Sequence, residues 1–350
     1  MSAVKTFFIA EIGVNHNGRL DLALKLVEAA YAAGAQAAKF QTFTADALAV
    51  PNTQTVAYQK AMSGALDQHA MLKSLELSEK DHRIIAQRCR ELGIEFMSTA
   101  FDKRSMDMLC DIGIKRIKIP SGEITNLPYI KDCTRRGLPI ILSTGMADLE
   151  EVRVAVGAVR EVQRELSVPS PALTVLHCTS AYPAALEDVN LLAMQTMARE
   201  LGVPIGYSDH TLGTFVSPIA VALGAVVIEK HITLDRTMPG PDHAASIEPD
   251  ELKAMIAQIR EVETLLGDGI KQARPAEYEA RRLVRRGLKA TRVIEAGTVL
   301  QESDIAILRP ASGLAPGSYE TVIGRRVVNS LDAGQPITQD DLEASEGLAR

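Results

Sequence analysis

Five ionisable residues stand where short apolar runs of the sequence end: Glu11 after FFIA, Lys39 in AAKFQ, Lys118 in IKIP, His210 in YSDH and His231 in VVIEKH. Buried charge is costly unless it is paired or bound to something, so an apolar strand has no packing reason to finish on Glu229, Lys230 and His231. Neutral imidazole is the commonest metal ligand. His210 and His231, with water- or substrate-filled positions beside them, suit a catalytic divalent ion, the alternative being a satisfied core histidine at each place. His177 is divided between ligand, substrate contact and packing, and His243 between substrate contact and packing. Lys39 and Lys118, with Ser121, Ser143 and Ser208 in short loops whose amides can cradle a phosphate, suggest an anionic substrate. Glu11 can orient a water or move a proton, or it can pair with one of the lysines.

Positioning these groups on one rim requires a regular scaffold. The apolar runs predict eight strands, over Thr6–Glu11, Ala35–Gln41, Ile94–Ser98, Arg116–Ile119, Pro139–Ser143, Ala172–His177, Pro204–Ser208 and Ala225–His231, separated by amphipathic helical stretches. Six of those helices run into a glycine before the next strand: Gly34, Gly93, Gly113, Gly137, Gly202 and Gly224. A glycine just past a helix end is the usual left-handed stop. Eight βα units of this size match an α/β (β/α)8 TIM barrel, whose active site sits at the C-terminal ends of the strands. All eight predicted ends carry polar or ionisable groups. A doubly wound open sheet, the rival fold, would place its ligand at a switch point instead.

The chain of 350 residues is 46% hydrophobic and 23% charged, with a formal charge of -6. That is globular composition with room for a large core, and the acidic balance argues against nucleic acid or an anionic membrane as the main partner. No apolar stretch is long enough to span a bilayer, and the N-terminus enters a strand without a cleavage signal, so a cytoplasmic protein is expected. Cys89, Cys110, Cys133 and Cys178 show no CxxC spacing and read as reduced thiols.

After residue 267 the pattern changes. A polar, charged linker over 268–283 leads into residues 284–350, where VIEAGTVLQESDI (Val293–Ile305) and SLDAGQPITQDDL (Ser330–Leu342) repeat one another. Two copies cannot make a solenoid, and a compact β-rich module with internal two-fold symmetry is expected.

Several strings, read in order, resemble the sialic acid synthase family: AEIGVNHNG (Ala10–Gly18), KFQTF (Lys39–Phe43), STAFD (Ser98–Asp102), KIPSGEITNLPY (Lys118–Tyr129), ILSTGM (Ile141–Met146), HCTSAYPA (His177–Ala184), GYSDHT (Gly206–Thr211) and EKHITLDRTMPGPDH (Glu229–His243). The C-terminal module, with LRPASGLAP (Leu308–Pro316), resembles that family's antifreeze-like (SAF, β-clip) domain. The resemblance covers nearly the whole chain.

It implies a metal-dependent condensation of phosphoenolpyruvate with an N-acetylmannosamine-type sugar, giving a nine-carbon 2-keto acid and phosphate. Carried over residue by residue, His210 and His231 resemble the ligands of a divalent ion, Mn2+ with Mg2+ or Co2+ as alternatives. Lys39, Thr99, Lys118, Ser121, Ser143 and Ser208 resemble the phosphoenolpyruvate contacts, and Glu11 the carboxylate that handles the attacking water. Gln41, Phe101, Glu123, Tyr182 and Asp242 resemble the sugar contacts. Arg309 resembles an arginine inserted into the partner's barrel, which implies a domain-swapped homodimer. Two positions depart from the pattern: Ser180 stands where some members have Asn, and Ala100 where many have Pro. N-acetylneuraminate synthase is the first expectation and N,N'-diacetyllegionaminate synthase the alternative. A non-catalytic carbohydrate-binding protein is the reading from a different class.

Overall fold

The computed structural model describes residues 5–50, 67–166 and 172–344. The first four residues, part of the reading of the N-terminus, lie outside them. The chain divides into two compact units, Met1–Asp268 and Gly269–Arg350.

Eight parallel strands close the first unit into a barrel in chain order: β1 (Phe7–Gly13), β2 (Ala37–Thr42), β3 (Glu95–Ala100), β4 (Ile117–Ile119), β5 (Ile140–Ser143), β6 (Leu173–Cys178), β7 (Ile205–Asp209) and β8 (Val227–His231). All eight predicted strands are present, displaced by a residue or two. Closure runs through β1 and β8, where Glu11 pairs with His231. The six expected glycines all take positive φ, between 60° and 104°. Gly93, for example, ends the helix Glu79–Leu92, and its N–H bonds back to Cys89 and Arg90.

The barrel has two apolar layers. The larger lies between strands and helices and includes Phe8, Phe40, Ile117, Leu142, Tyr207 and Ile228. The smaller fills the barrel itself: Ile9, Ala37, Met97, Ile141, Leu176 and Val227. Side chains alternate along a strand, so the next inward position after each of these is two residues on. Those positions hold Glu11, Lys39, Thr99, Ser143, Cys178 and Glu229. A dry plug of six side chains thus carries a polar layer on its C-terminal side.

In the second unit, β9 (Gly287–Ala290) pairs antiparallel with β10 (Ile305–Leu308) over a core of Leu288, Ile294, Leu300, Leu331 and Ile337. The expected symmetry is visible in its hydrogen bonds. Ile294 and Leu331, equivalent positions of the two repeats, exchange reciprocal backbone bonds of 2.8 Å. The equivalent pairs Gln301–Asp304 and Thr338–Asp341 both form capping boxes. No helix among the described residues is long and apolar enough to cross a membrane.

Candidate functional site

A cavity of about 310 Å3 opens at the C-terminal ends of the barrel strands. Thirteen of the sixteen site residues expected from the sequence line it: Glu11, Lys39, Gln41, Thr99, Phe101, Lys118, Ser121, Ser143, Ser180, Tyr182, Ser208, His210 and His231. Three do not. Asp242 lies just behind the lining, with Oδ2 3.8 Å from His231 Nδ1. Glu123 sits on the turn after β4, where it accepts a hydrogen bond from Asn126 Nδ2 at 2.7 Å. Arg309 is an exposed residue of the second unit, directly after β10.

The floor is an alternation of buried cations and carboxylates. Lys39 Nζ lies 2.7 Å from Glu11 Oε2 and 3.6 Å from Glu229 Oε2, while Lys118 Nζ lies 3.6 Å from Glu229 Oε1. Lys39 also donates to Thr99 Oγ1 at 3.2 Å. Glu11 is therefore paired with a lysine and also lines the cavity. Glu229, noted in the sequence as a polar strand end but given no role there, also lines the cavity. It stands two residues before His231 on the same face of β8, and that spacing is the signal that could have found it.

This arrangement drives two carboxylates apart. Burial raises the Glu11 pKa; Lys39 opposes it and Glu229 adds to it, leaving Glu11 at about 7. Burial pushes Glu229 up as well, but Lys118 and Lys39 outweigh it and bring it down to about 2. At neutral pH Glu229 is a fixed anion, while Glu11 takes up and releases a proton.

Beside Glu229, at the ends of β7 and β8, the rings of His210 and His231 lie 5.7 Å apart, with the Tyr182 ring 4.2 Å from that of His210. Burial lowers both histidine pKa values, so both rings are neutral. His210 Nδ1 meets the carbonyl of Thr179 at 2.6 Å and must therefore carry the proton. The hydroxyl of Ser208 has one proton and a carboxylate partner, Glu229, at 3.1 Å, which leaves the His210 Nε2 lone pair available. His231 Nδ1 is buried and has no hydrogen-bond partner among the described residues. Two neutral imidazoles, each with an uncommitted nitrogen, fit a divalent ion that keeps open positions for water or substrate. Among the described residues no group of three or more His, Cys, Asp or Glu completes a closed cage.

Two serines at the ends of β4 and β5 also line the cavity. Gly145 N donates to Ser121 Oγ at 2.9 Å, and Ser143 Oγ is buried and has no hydrogen-bond partner among the described residues. A Cβ at Gly145 would stand 2.1 Å from Ser180 Oγ, so a larger residue there would have to displace that hydroxyl.

Four polar residues at strand ends do not belong to this site. Ser98 bonds Thr42, Thr144 bonds the carbonyl of Leu176, and Asp209 pairs with Lys230 at 2.9 Å. Each is one residue out of phase with the inward layer, so it faces the helices. Lys230 in particular is not delivered into the cavity with His231. His177 Nε2 donates to the carbonyl of Val189 at 2.7 Å, and His243 is held by Thr233 and Asn17, so both are packing histidines.

A model of the NeuB family matches residues 26–271, and one of the SAF domain matches residues 285–343. The chain belongs to the NeuB family. N,N'-diacetyllegionaminic acid synthase of Legionella pneumophila is 48% identical over 98% of this chain and 96% of its own length. The enzyme of the same name from Campylobacter jejuni is 44% identical over 92% and 95%. Among solved structures, the N-acetylneuraminic acid synthetase of Leptospira borgpetersenii is 34% identical, covers 79% of this chain and 90% of its own, and superimposes with a TM-score of 0.69. The NeuB match spans most of the barrel, and the SAF match falls within the second unit.

Proposed function

We propose that this NeuB-family chain is an N,N'-diacetyllegionaminate synthase, condensing phosphoenolpyruvate with 2,4-diacetamido-2,4,6-trideoxymannose. The observation that carries the choice of sugar is the similarity to two enzymes of that name, at 48% and 44% identity. It favours the second of the two sugars expected from the sequence over N-acetylmannosamine. The choice of reaction rests on the cavity, where two lysines, two histidines and several serines share one lining with a carboxylate of pKa about 7.

In this reading Lys39, Lys118, Ser121 and Ser143 hold the carboxylate and phosphate of phosphoenolpyruvate. Glu229 limits the charge of the two lysines, so the phosphate can leave after the reaction. Glu11 accepts a proton from the water that adds to C2 as the C2=C3 π pair bonds the aldehyde carbon, and the alkoxide left on the aldehyde oxygen takes up a proton in turn. The tetrahedral C2 then expels phosphate and becomes the keto group. His210 and His231 would hold Mn2+, or Mg2+ or Co2+ in its place, and a bound ion supplies Lewis-acid polarisation of the aldehyde oxygen. Gln41, Phe101, Tyr182, Ser180 and Asp242 line or back the side where the sugar would lie. Burial raises Asp242 to about 6, so near neutral pH it can either accept from or donate to a sugar hydroxyl.

Arg309 is assigned the sugar-side role in a partner's barrel, in a domain-swapped homodimer, and a cytoplasmic location is part of the same reading. Sugar-dependent release of phosphate from phosphoenolpyruvate tests the reaction; its absence with every mannosamine-type sugar, with and without added metal, would refute it.

A further inference from the structure

Lys230 and Asp209 look outward from the barrel, yet each immediately precedes one of the two cavity histidines. They are register partners across β7 and β8. Lys230 is 2% exposed and Asp209 1%, and their charged atoms meet at 2.9 Å. The pair is closed on every side. Lys230 Nζ donates to the carbonyl of Thr211 at 2.7 Å. Asp209 Oδ1 accepts from the Thr211 N–H at 2.9 Å and from its hydroxyl at 2.7 Å, while Oδ2 accepts from Ser217 Oγ at 2.7 Å.

This network leaves His210 little freedom. Asp209 precedes it, and Thr211, which follows it, is gripped through N–H, hydroxyl and carbonyl. Lys230 ties that same carbonyl to the residue before His231. A packed apolar pair would fill the space between strand and helix equally well. Buried ion pairs are often replaceable by apolar residues without loss of stability, so stability alone does not account for this one. What apolar residues cannot do is fix the peptide planes on both sides of His210 relative to β8.

We propose that Asp209 and Lys230 are positioning residues that set the separation and orientation of His210 and His231, and thereby the affinity of this site for a divalent cation. The inference rests on the reading of those two histidines as a metal site. Groups behind metal-ligating histidines typically change metal affinity by about 10–100-fold when removed.

The test is the double variant D209L/K230M, which removes both charges together, with S217A as a milder variant that deletes one bond to Asp209. Two quantities are read: Mn2+ affinity by electron paramagnetic resonance on the full chain, and, without metal, the imidazole ring signals of His210 and His231, assigned by their loss in H210A and H231A. For the folded double variant we expect at least ~10-fold weaker Mn2+ binding and displaced ring signals for these two histidines, with the ring signal of His69, which meets Asp46 at 2.8 Å and is no part of this network, unmoved. S217A should move both readouts in the same direction by less. Unchanged affinity and unchanged ring signals in the folded double variant would overturn the proposal; if that variant does not fold, the same result in S217A would do so. Should the wild-type chain bind no Mn2+, the metal reading is what fails, and the metal-free ring signals still decide whether the pair positions the histidines.

Discussion

Lys39 and Glu11, on adjacent strands, meet at 2.7 Å with both side chains almost completely buried. An ion pair placed there by packing alone would hold both charges fixed. Here the second carboxylate, Glu229, competes for the same lysine and is assisted by Lys118, so Glu11 is left the weaker partner with a pKa of about 7.

The first prediction follows from that value. Glu11 accepts a proton only when ionised, so kcat/KM should rise with pH through about 7 and then level off. In Glu11→Gln the limb should vanish and activity fall by roughly 10²–10⁴-fold. In Glu229→Gln the anion that raises Glu11 is gone, and the limb should move to lower pH. A limb that stays in place in Glu229→Gln would show that the two carboxylates are not linked as described.

Removing the shared cation tests the stability side. Lys39→Met leaves Glu11 and Glu229 facing each other with one cation fewer, at a cost of roughly 3–5 kcal/mol near neutral pH. The cost should shrink as pH falls toward about 7, because without Lys39 the Glu11 pKa rises above that value, so the variant takes up a proton already above pH 7 and the repulsion is lost. Denaturant midpoints of both proteins at pH 8 and pH 5.5 measure this, and a pH-independent difference would contradict it.

For the metal, His210→Ala and His231→Ala are each expected to abolish Mn2+ binding while leaving the far-UV circular dichroism unchanged. Chelation of the wild-type chain should stop turnover without unfolding it, because the barrel core is apolar and complete without the ion. Retained Mn2+ affinity in either alanine variant would remove that histidine from the ligand set.

Arg309→Ala is expected to raise the KM for the sugar. Mixed with the inactive His231→Ala protein, it should recover part of the lost activity, since a swapped dimer then contains one barrel with both an intact metal site and an intact arginine. No recovery in the mixture would mean that the arginine acts within its own chain or not at all.

How far the site could be read from the sequence depended on strand parity. Parallel strands covered on both faces are near-continuous apolar runs and carry little alternation to say which side is inward. Strand ends such as Lys39, Lys118 and His231 were therefore recognisable, but Lys230, Asp209, Ser98 and Thr144 were equally polar and turned out to face the helices. Glu229 stood out as a polar strand end but was given no role for the same reason. In VVIEKH the residue nearest His231 in sequence drew attention, and the one two positions away shares its face. The eight-strand count and the glycine stops were legible because each rests on a strictly local signal. Asp242 and Glu123 lie on irregular segments after strands, where neither period nor spacing says how the chain turns back.

The sugar is the central claim. Side by side, purified protein with phosphoenolpyruvate and Mn2+ would be given 2,4-diacetamido-2,4,6-trideoxymannose or N-acetylmannosamine, and phosphate release followed. We predict a kcat/KM at least ~10-fold higher for the diacetamido sugar, the size expected when one or two substituent contacts are gained. Equal or greater efficiency with N-acetylmannosamine would contradict the assignment.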